Sequence, residues 1–268
     1  MLIEFTVGNF CSFRDRFTLS MVAAKLAAKD KSLDENNVIV QPNHPPLLTS
    51  AAIYGPNASG KSNLIGALMF MRGFALGSLQ GTEATGGIGV DPFRLNARTV
   101  QQPSHFEVVI IIERQRYRYG FEVTGDIVVN EWLYTVPKKT EVRLFERTPD
   151  GITIGASFKE GRKLQEQTRP NALFLSVVAQ FHGTIAQHVI GWFRRLGIVS
   201  GLNDMSMKVY TEQKLVEADG GKEIVALVTK LDLGIADLKA IKARDADNYP
   251  AQQGNRLYRG GKDDAPCL

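Results

Sequence analysis

The densest chemistry in the sequence is the run Gly55-Pro56-Asn57-Ala58-Ser59-Gly60-Lys61-Ser62, followed by Asn63. Its pattern is G-x-x-x-x-G-K-S. Glycines at both ends let the backbone curl so that successive N–H groups point inward, toward phosphate oxygens. Lys61 supplies a cation able to bridge the terminal phosphates of a nucleoside triphosphate, and the Ser62 hydroxyl takes one coordination position on Mg²⁺. Gly60 stands where a side chain would collide with the phosphates. Residues 55–63 are therefore expected to bind ATP with Mg²⁺. The competing reading is a glycine-rich turn with an incidental lysine, and the flanking elements decide between them.

Those elements occur in the required order. Residues 47–54 form a short apolar run that stops at a glycine, which predicts a buried strand feeding the loop. Residues 63–76 are rich in Leu, Ile, Ala, Met and Phe and contain no proline, which predicts the helix behind it. Upstream, Leu2-Ile3-Glu4-Phe5-Thr6-Val7 alternates in polarity as a half-buried strand does and breaks at Gly8-Asn9. A second strand is expected over 17–22. Asn9, Phe10, Ser12 and Phe13 fall in the turn between them, so the chain opens on a β-hairpin. Residues 23–46 are polar and end in prolines, as a loop or short frayed helix would.

Downstream of a Gly- and Thr-rich connection at 77–92, segments 105–113, 117–123, 127–136 and 141–147 are strand-like and separated by turn residues. They predict an antiparallel meander, a β-lobe at 93–155 inserted into the nucleotide core. From 171 to 196, Leu173, Val177, Phe181, Ile185, Val189, Trp192 and Leu196 recur three or four apart, which predicts one long amphipathic helix. A polar stretch follows residue 201, then a helical segment near 223–231 and a polar tail from 243.

With 44% hydrophobic and 22% charged residues the chain reads as an ordinary globular protein. Its two cysteines, Cys11 and Cys267, have neither metal-ligand nor disulfide-framework spacing, and no apolar run reaches the roughly twenty residues of a membrane span. A cytoplasmic protein with no membrane partner is expected. The formal net charge of +4 permits nucleic-acid contact, but Lys and Arg are scattered, as on a solvated surface.

The phosphate-loop run resembles that of ABC-type ATPases, the branch holding the SMC and RecF proteins, and within it the bacterial AAA family ATPases of anti-phage and abortive-infection systems. The opening Val7-Gly8-Asn9-Phe10-Cys11-Ser12-Phe13-Arg14-Asp15 is similar to theirs. So are Asp91-Pro92-Phe93-Arg94-Leu95, Tyr117-Arg118-Tyr119-Gly120-Phe121, Asn130-Glu131-Trp132-Leu133-Tyr134 and Asn171-Ala172-Leu173-Phe174-Leu175-Ser176. The resemblance covers roughly residues 1–240, and only the phosphate loop is individually diagnostic.

It implies an α/β fold: an ABC-like P-loop NTPase core with the hairpin and β-lobe attached, whose C-terminal part is missing. Residues 1–242 would form the incomplete ATPase domain, and 243–268 a disordered or truncated tail. It also implies ATP hydrolysis in the complete protein, nucleotide-gated dimerisation or pairing with a complementing C-terminal half, and service in DNA metabolism or phage defence. The alternative is a catalytically incomplete module that binds nucleotide or a partner.

Such ATPases also need an apolar strand closing in acidic residues. None is found here, and Asp204, Asp219 and Asp232 follow no such strand and are not assigned. Gln180 falls in the predicted long helix, so it is not assigned as a γ-phosphate sensor. His182 and His188 on the same helix read as packing or surface residues. Trp132 and Trp192 read as core aromatics, and Arg94 and Arg98 as solvated arginines. Phe13 and Arg14 either approach the adenine or ribose or simply build the hairpin turn.

Overall fold

The computed structural model describes residues 1–26, 31–79, 87–137, 140–199, 205–217, 220–231, 234–235, 237–238, 241–242 and 266–267. The chain divides into two compact units, Met1–Gly197 and Ile198–Leu268.

The first unit is built on β1 (Leu2–Gly8), whose alternation buries Ile3, Phe5 and Val7. Asn9 and Cys11 take positive φ, Phe10 and Phe13 form a bridge, and β2 (Phe17–Ser20) returns antiparallel to β1. The expected hairpin is present. Next come α1 (Lys31–Asn37), the two-residue strands β3 (Val38–Ile39) and β4 (Leu47–Leu48), which pair with each other, and α2 (Lys61–Gly77). The meander is β5 (Ser104–Ile112), β6 (Gln115–Val123), β7 (Val128–Val136), β8 (Val142–Thr148) and β9 (Gly151–Ile154).

Hairpin and meander, expected as separate parts, form one seven-stranded sheet of order β2-β1-β5-β6-β7-β8-β9. They join because β5 pairs antiparallel with both β1 and β6. The α2 helix lays the stripe Leu64, Ala67, Met71 and Ala75 into the core, spaced three and four apart as one helical face requires. Beside the stripe, Phe70 meets Phe106 at 4.9 Å between ring centroids and Phe74 meets Phe121 at 5.5 Å. Burial of one such ring contributes about 1.5–3 kcal/mol.

The expected long helix over 171–196 is two helices, α3 (Phe174–Gln180) and α4 (Thr184–Arg195). Its break is built from local hydrogen bonds. His182 takes the left-handed conformation with φ 64°; its N–H donates to Ala179 O at 3.2 Å, and the Gly183 N–H donates to Val178 O at 3.0 Å. This pair of bonds is the Schellman ending of a helix. The α4 helix then starts on the Glu160 carboxylate, which accepts the N–H groups of Ile185 and Ala186 at 3.2 and 2.9 Å. A Cβ at Gly183 would lie 2.5 Å from Val178 Cγ1, so only glycine fits between the helices.

Two buried residues of opposite charge tie α3 to the sheet. Glu131 on β7 and Arg147 on β8 are cross-strand neighbours. Glu131 accepts the N–H groups of Phe174 and Leu175 at 2.6 and 2.9 Å and the Tyr119 hydroxyl at 3.1 Å. Arg147 donates to the carbonyls of Ala172 and Pro170 at 2.8 and 3.0 Å. Anion and cation thus hold the two chemical halves of the backbone entering α3, the anion at the helix N-terminus where its dipole favours it.

The second unit contains α5 (Met205–Val216) and α6 (Gly220–Lys230), packed on each other, and β10 (Ile241–Lys242) paired with β11 (Pro266–Cys267). The stretch after 201, expected as polar connection, is thus helical from Met205. Most of the expected tail, 243–265, lies outside the described residues. Among the described residues no helix is long and apolar enough to cross a membrane.

Candidate nucleotide-binding site

Residues 55–60 form an exposed loop that enters α2 directly. Ala58 and Gly60 both take positive φ, 63° and 91°, which curls the chain before the helix. Gly60 is the N-cap and brings no side-chain cap, so the first-turn N–H groups of Lys61, Ser62 and Asn63 are left for an acceptor from outside. Two constraints act on Gly60. Its left-handed φ disfavours any other residue, and a Cβ there would come 2.8 Å from Ser12 Oγ.

Lys61 lies folded over its own loop. Its ammonium donates to the carbonyls of Gly55 and Pro56, both at 2.7 Å, with Ser59 Oγ at 3.4 Å. The lysine therefore braces the loop from inside and keeps a positive charge against it. Ser62 stands exposed on the first turn and makes no side-chain hydrogen bond among the described residues. Curled backbone, uncapped helix start, fixed ammonium and available hydroxyl fit a triphosphate and its metal: N–H groups and Lys61 toward the phosphates, Ser62 toward Mg²⁺.

The opening hairpin reaches this loop through Ser12. Asn63 Nδ2 donates to Ser12 Oγ at 2.9 Å, and Phe13 Cζ is 3.8 Å from a Cβ built on Gly60. Ser12 belongs to the opening stretch singled out by resemblance, and the hairpin turn is what places it beside the loop. Asn9 sets that turn. Its Nδ2 donates to the carbonyls of Thr99 and Gln102, both at 2.8 Å, and its Oδ1 accepts the Phe93 N–H at 3.1 Å. Residues 9–13 and 91–95, two stretches singled out by resemblance, are thus joined by one buried side chain. Phe13 itself stacks on Phe17 at 5.5 Å, and Arg14 pairs with Asp15.

The strand expected over 47–54 is overturned. Only Leu47–Leu48 is strand, tied to Met21 and Val22, whereas residues 51–59 are exposed and without regular structure. Ile53 is 42% and Tyr54 90% accessible. An apolar run becomes a strand only when a neighbour takes up its N–H and C=O groups. No described strand lies alongside residues 49–54.

Other candidates lie apart from the loop. Gln180 is helical, as expected, and lines a cavity of about 550 Å³ with Ala75, Leu76 and Arg194. That is the far end of α2, roughly 20 Å along the helix from Lys61 at ~1.5 Å per residue. His182 ends α3, and His188 lies 4.0 Å from Glu113. Arg94 pairs with Asp91, and Arg98 donates its backbone N–H to Asn96 Oδ1. Trp192 is buried, and Trp132 is half-buried with its indole N–H on Glu107 at 2.7 Å. Asp204, Asp219 and Asp232 lie outside the described residues.

Residues 50–193, more than half of the chain, match the family described as "AAA domain, putative AbiEii toxin, Type IV TA system". The chain belongs to this family. It is a nucleotide-binding P-loop ATPase domain of the bacterial, abortive-infection type. The matched segment begins just before the phosphate loop and ends within α4, so it takes in the loop, α2, the whole meander and the break between the two helices. No curated protein matches the chain.

Proposed function

We propose that the chain binds ATP together with Mg²⁺ at residues 55–63, and that this binding gates association with a further polypeptide surface in a phage-defence or DNA-processing system. The observation that carries the nucleotide reading is the loop itself, with Lys61 on the Gly55 and Pro56 carbonyls and an uncapped α2 start beside it. Mg²⁺ would be held by Ser62, by nucleotide phosphates and by water, in keeping with its preference for few protein ligands.

The gating reading rests on the exposed approach to the loop. Residues 49–54 carry Ile53 and Tyr54 into solvent, and α2 exposes Ile65 and Met69, at 41% and 47%. These apolar groups are suited to strands from a C-terminal part of the fold, from a complementing chain or from a second copy. Such a partner would also be the source of an acidic residue for water activation, on which phosphoryl transfer depends. A binding module without turnover is therefore the second reading, and the unpaired segment favours it.

Calorimetry with ATP, with and without Mg²⁺, paired with phosphate release, tests both on the wild-type chain and on Lys61→Ala. Binding that is Mg²⁺-strengthened and lost in the variant is expected. Turnover by the isolated chain, lost with Lys61, would favour a complete catalyst over the module. Equal binding by both proteins would remove the loop as the site.

A further inference from the structure

The opening hairpin is held to α2 at two places. Phe10 is buried, with its ring 5.8 Å from that of Phe70 on α2 and 5.3 Å from that of Phe106 on β5. Two residues on, Ser12 Oγ accepts the Asn63 side-chain N–H at 2.9 Å. Asn63 and Phe70 lie two turns apart on α2, roughly 10 Å at ~1.5 Å per residue. The turn that carries both contacts is itself braced. The N–H groups of Phe10 and Phe13 donate to each other's carbonyls at 2.9 and 2.8 Å, and the Cys11 N–H donates to Asp91 O at 2.8 Å. The Ser104 hydroxyl donates to Asn9 O at 2.5 Å.

This bracing decides where the Ser12 hydroxyl stands. A Cβ built on Gly60 would lie 2.8 Å from Ser12 Oγ, so the hydroxyl sits over the N-cap of α2, beside the first-turn N–H groups. A serine hydroxyl has one proton to give and two lone pairs to offer. Asn63 takes up a lone pair, and among the described residues the proton has no acceptor. The charged side chains of the same turn are engaged elsewhere, Arg14 with Asp15 at 2.8 Å and Arg16 with Glu122 at 3.0 Å.

A serine on an exposed turn is ordinarily a solvated hydroxyl. Ser12 differs in having a fixed oxygen, a proton still to give and a place beside the phosphate loop. A donor held in position before its ligand arrives loses little further freedom on binding.

The geometry points to Ser12 as a phosphate-binding residue supplied by the hairpin: its hydroxyl donates to a phosphate oxygen of the bound nucleotide, and Asn63 orients it. This rests on residues 55–63 being the nucleotide site, and it adds to that site a donor from outside the loop. Phosphate is assigned rather than sugar or base because the hydroxyl shares its position with the α2 N-terminus, where negative charge is favoured. A hydrogen bond to a charged oxygen is also the stronger kind.

The test is calorimetry on the full chain with two probes, ATP and inorganic tripolyphosphate, each with Mg²⁺. Ser12→Ala should weaken both by about tenfold and leave the thermal melt unchanged. Ser12→Thr keeps the hydroxyl and should stay within about twofold of wild type. A tie between hairpin and loop, with no contact to the ligand, is separated by a double-mutant cycle. In an Asn63→Ala background Ser12→Ala should still cost about threefold or more, whereas a mere tie would cost nothing further. Should Ser12→Ala lower the melt, Ser12→Cys, close in size but a much weaker donor, takes its place. Loss for ATP with tripolyphosphate unaffected would move the hydroxyl to the sugar or base and overturn the assignment. Wild-type binding that is lost in Lys61→Ala but kept in Ser12→Ala would overturn this inference alone. A wild-type chain that binds neither probe would take the phosphate-loop reading down with it.

Discussion

Glu131 and Lys61 both hold backbone atoms at the start of a helix, and they do so in opposite surroundings. Glu131 is buried between β7 and α3 and accepts two backbone N–H groups, while its cross-strand neighbour Arg147 holds the carbonyls just upstream. Lys61 holds the Gly55 and Pro56 carbonyls on a loop whose residues 51–59 are all exposed. In the first region the Phe174 and Leu175 N–H groups and the Pro170 and Ala172 carbonyls all have side-chain partners from the protein. In the second the helix N–H groups are left over, and the segment leading to them has no strand beside it. Structure is closed where it must be permanent and open where a ligand or partner is to complete it.

The largest expected contrast is in amide exchange. Backbone N–H groups of β5, β6 and β7 should exchange only through global unfolding, whereas those of residues 51–58 should exchange almost freely, a difference of roughly 5 kcal/mol or more in opening free energy. Mass spectrometry after deuterium labelling reads both in one experiment. Adding ATP with Mg²⁺ should protect residues 57–64 and leave the sheet unchanged. Slow exchange over 51–58 without nucleotide would mean that the segment is already paired, and the contrast would fail.

Next in size is Glu131→Ala. It strips Phe174 N–H, Leu175 N–H and the Tyr119 hydroxyl of their acceptor and leaves Arg147 as an unbalanced buried charge, for a loss of about 3 kcal/mol. The urea midpoint should drop accordingly. Lys61→Ala, by contrast, should leave the midpoint within about 0.5 kcal/mol of wild type, because it removes an exposed brace.

The pH dependence sharpens the same point. Desolvation, the largest influence, raises the Glu131 carboxyl to about 6 against hydrogen bonds and Arg147 that pull it down. An acid raised on folding binds more protons folded than unfolded between about 4.5 and 6, so its ionisation costs stability as pH rises through that window. The cost, complete above about pH 6, is about 2 kcal/mol. Glu122 works in a different range. Its hydrogen bond with His105 leads the influences that depress it to about 2, so its contribution is present above about 4.5 and fades only as pH falls below that value. Urea midpoints at pH 4.5 and 6.5 should therefore differ in wild type and converge in Glu131→Gln. A difference that survives the amide would have to come from another group.

What could be read from the sequence follows the same division. The phosphate loop and α2 were legible because glycines, lysine and an apolar helix act locally, and the strands of the meander because their alternation and turns do too. The strand expected over 47–54 was not realised, since its pairing depends on neighbours that local pattern does not specify. Glu131 lies in a stretch that resembles the family, but nothing local in the sequence showed its role. A glutamate in a strand reads as solvent-facing, and only the β7–α3 contact explains why it is buried. The join between hairpin and meander depends on the long-range pairing of β1 with β5, and Asn9 became meaningful only when its side chain was seen to collect residues 93–102.

The break inside 171–196 is the case in which a signal existed and was outweighed. The apolar period runs through residues 181–183 without interruption, and Gly183 was the one residue of the stop visible in the sequence. Its partner, His182, occupies the left-handed position that glycine usually fills at a helix end. A non-glycine residue there carries a steric cost that glycine avoids, while glycine loses more backbone entropy on folding. Because the His182 ring is exposed and, among the described residues, its hydrogen bond is to Gln187 at 3.3 Å, little packing is lost with it. His182→Gly should therefore stabilise the first unit by about 0.5 kcal/mol. A rise in the urea midpoint with no change in ATP binding is the expected outcome. A fall would mean that the imidazole contact with Gln187 matters more to the junction of α3 and α4 than the strain it relieves.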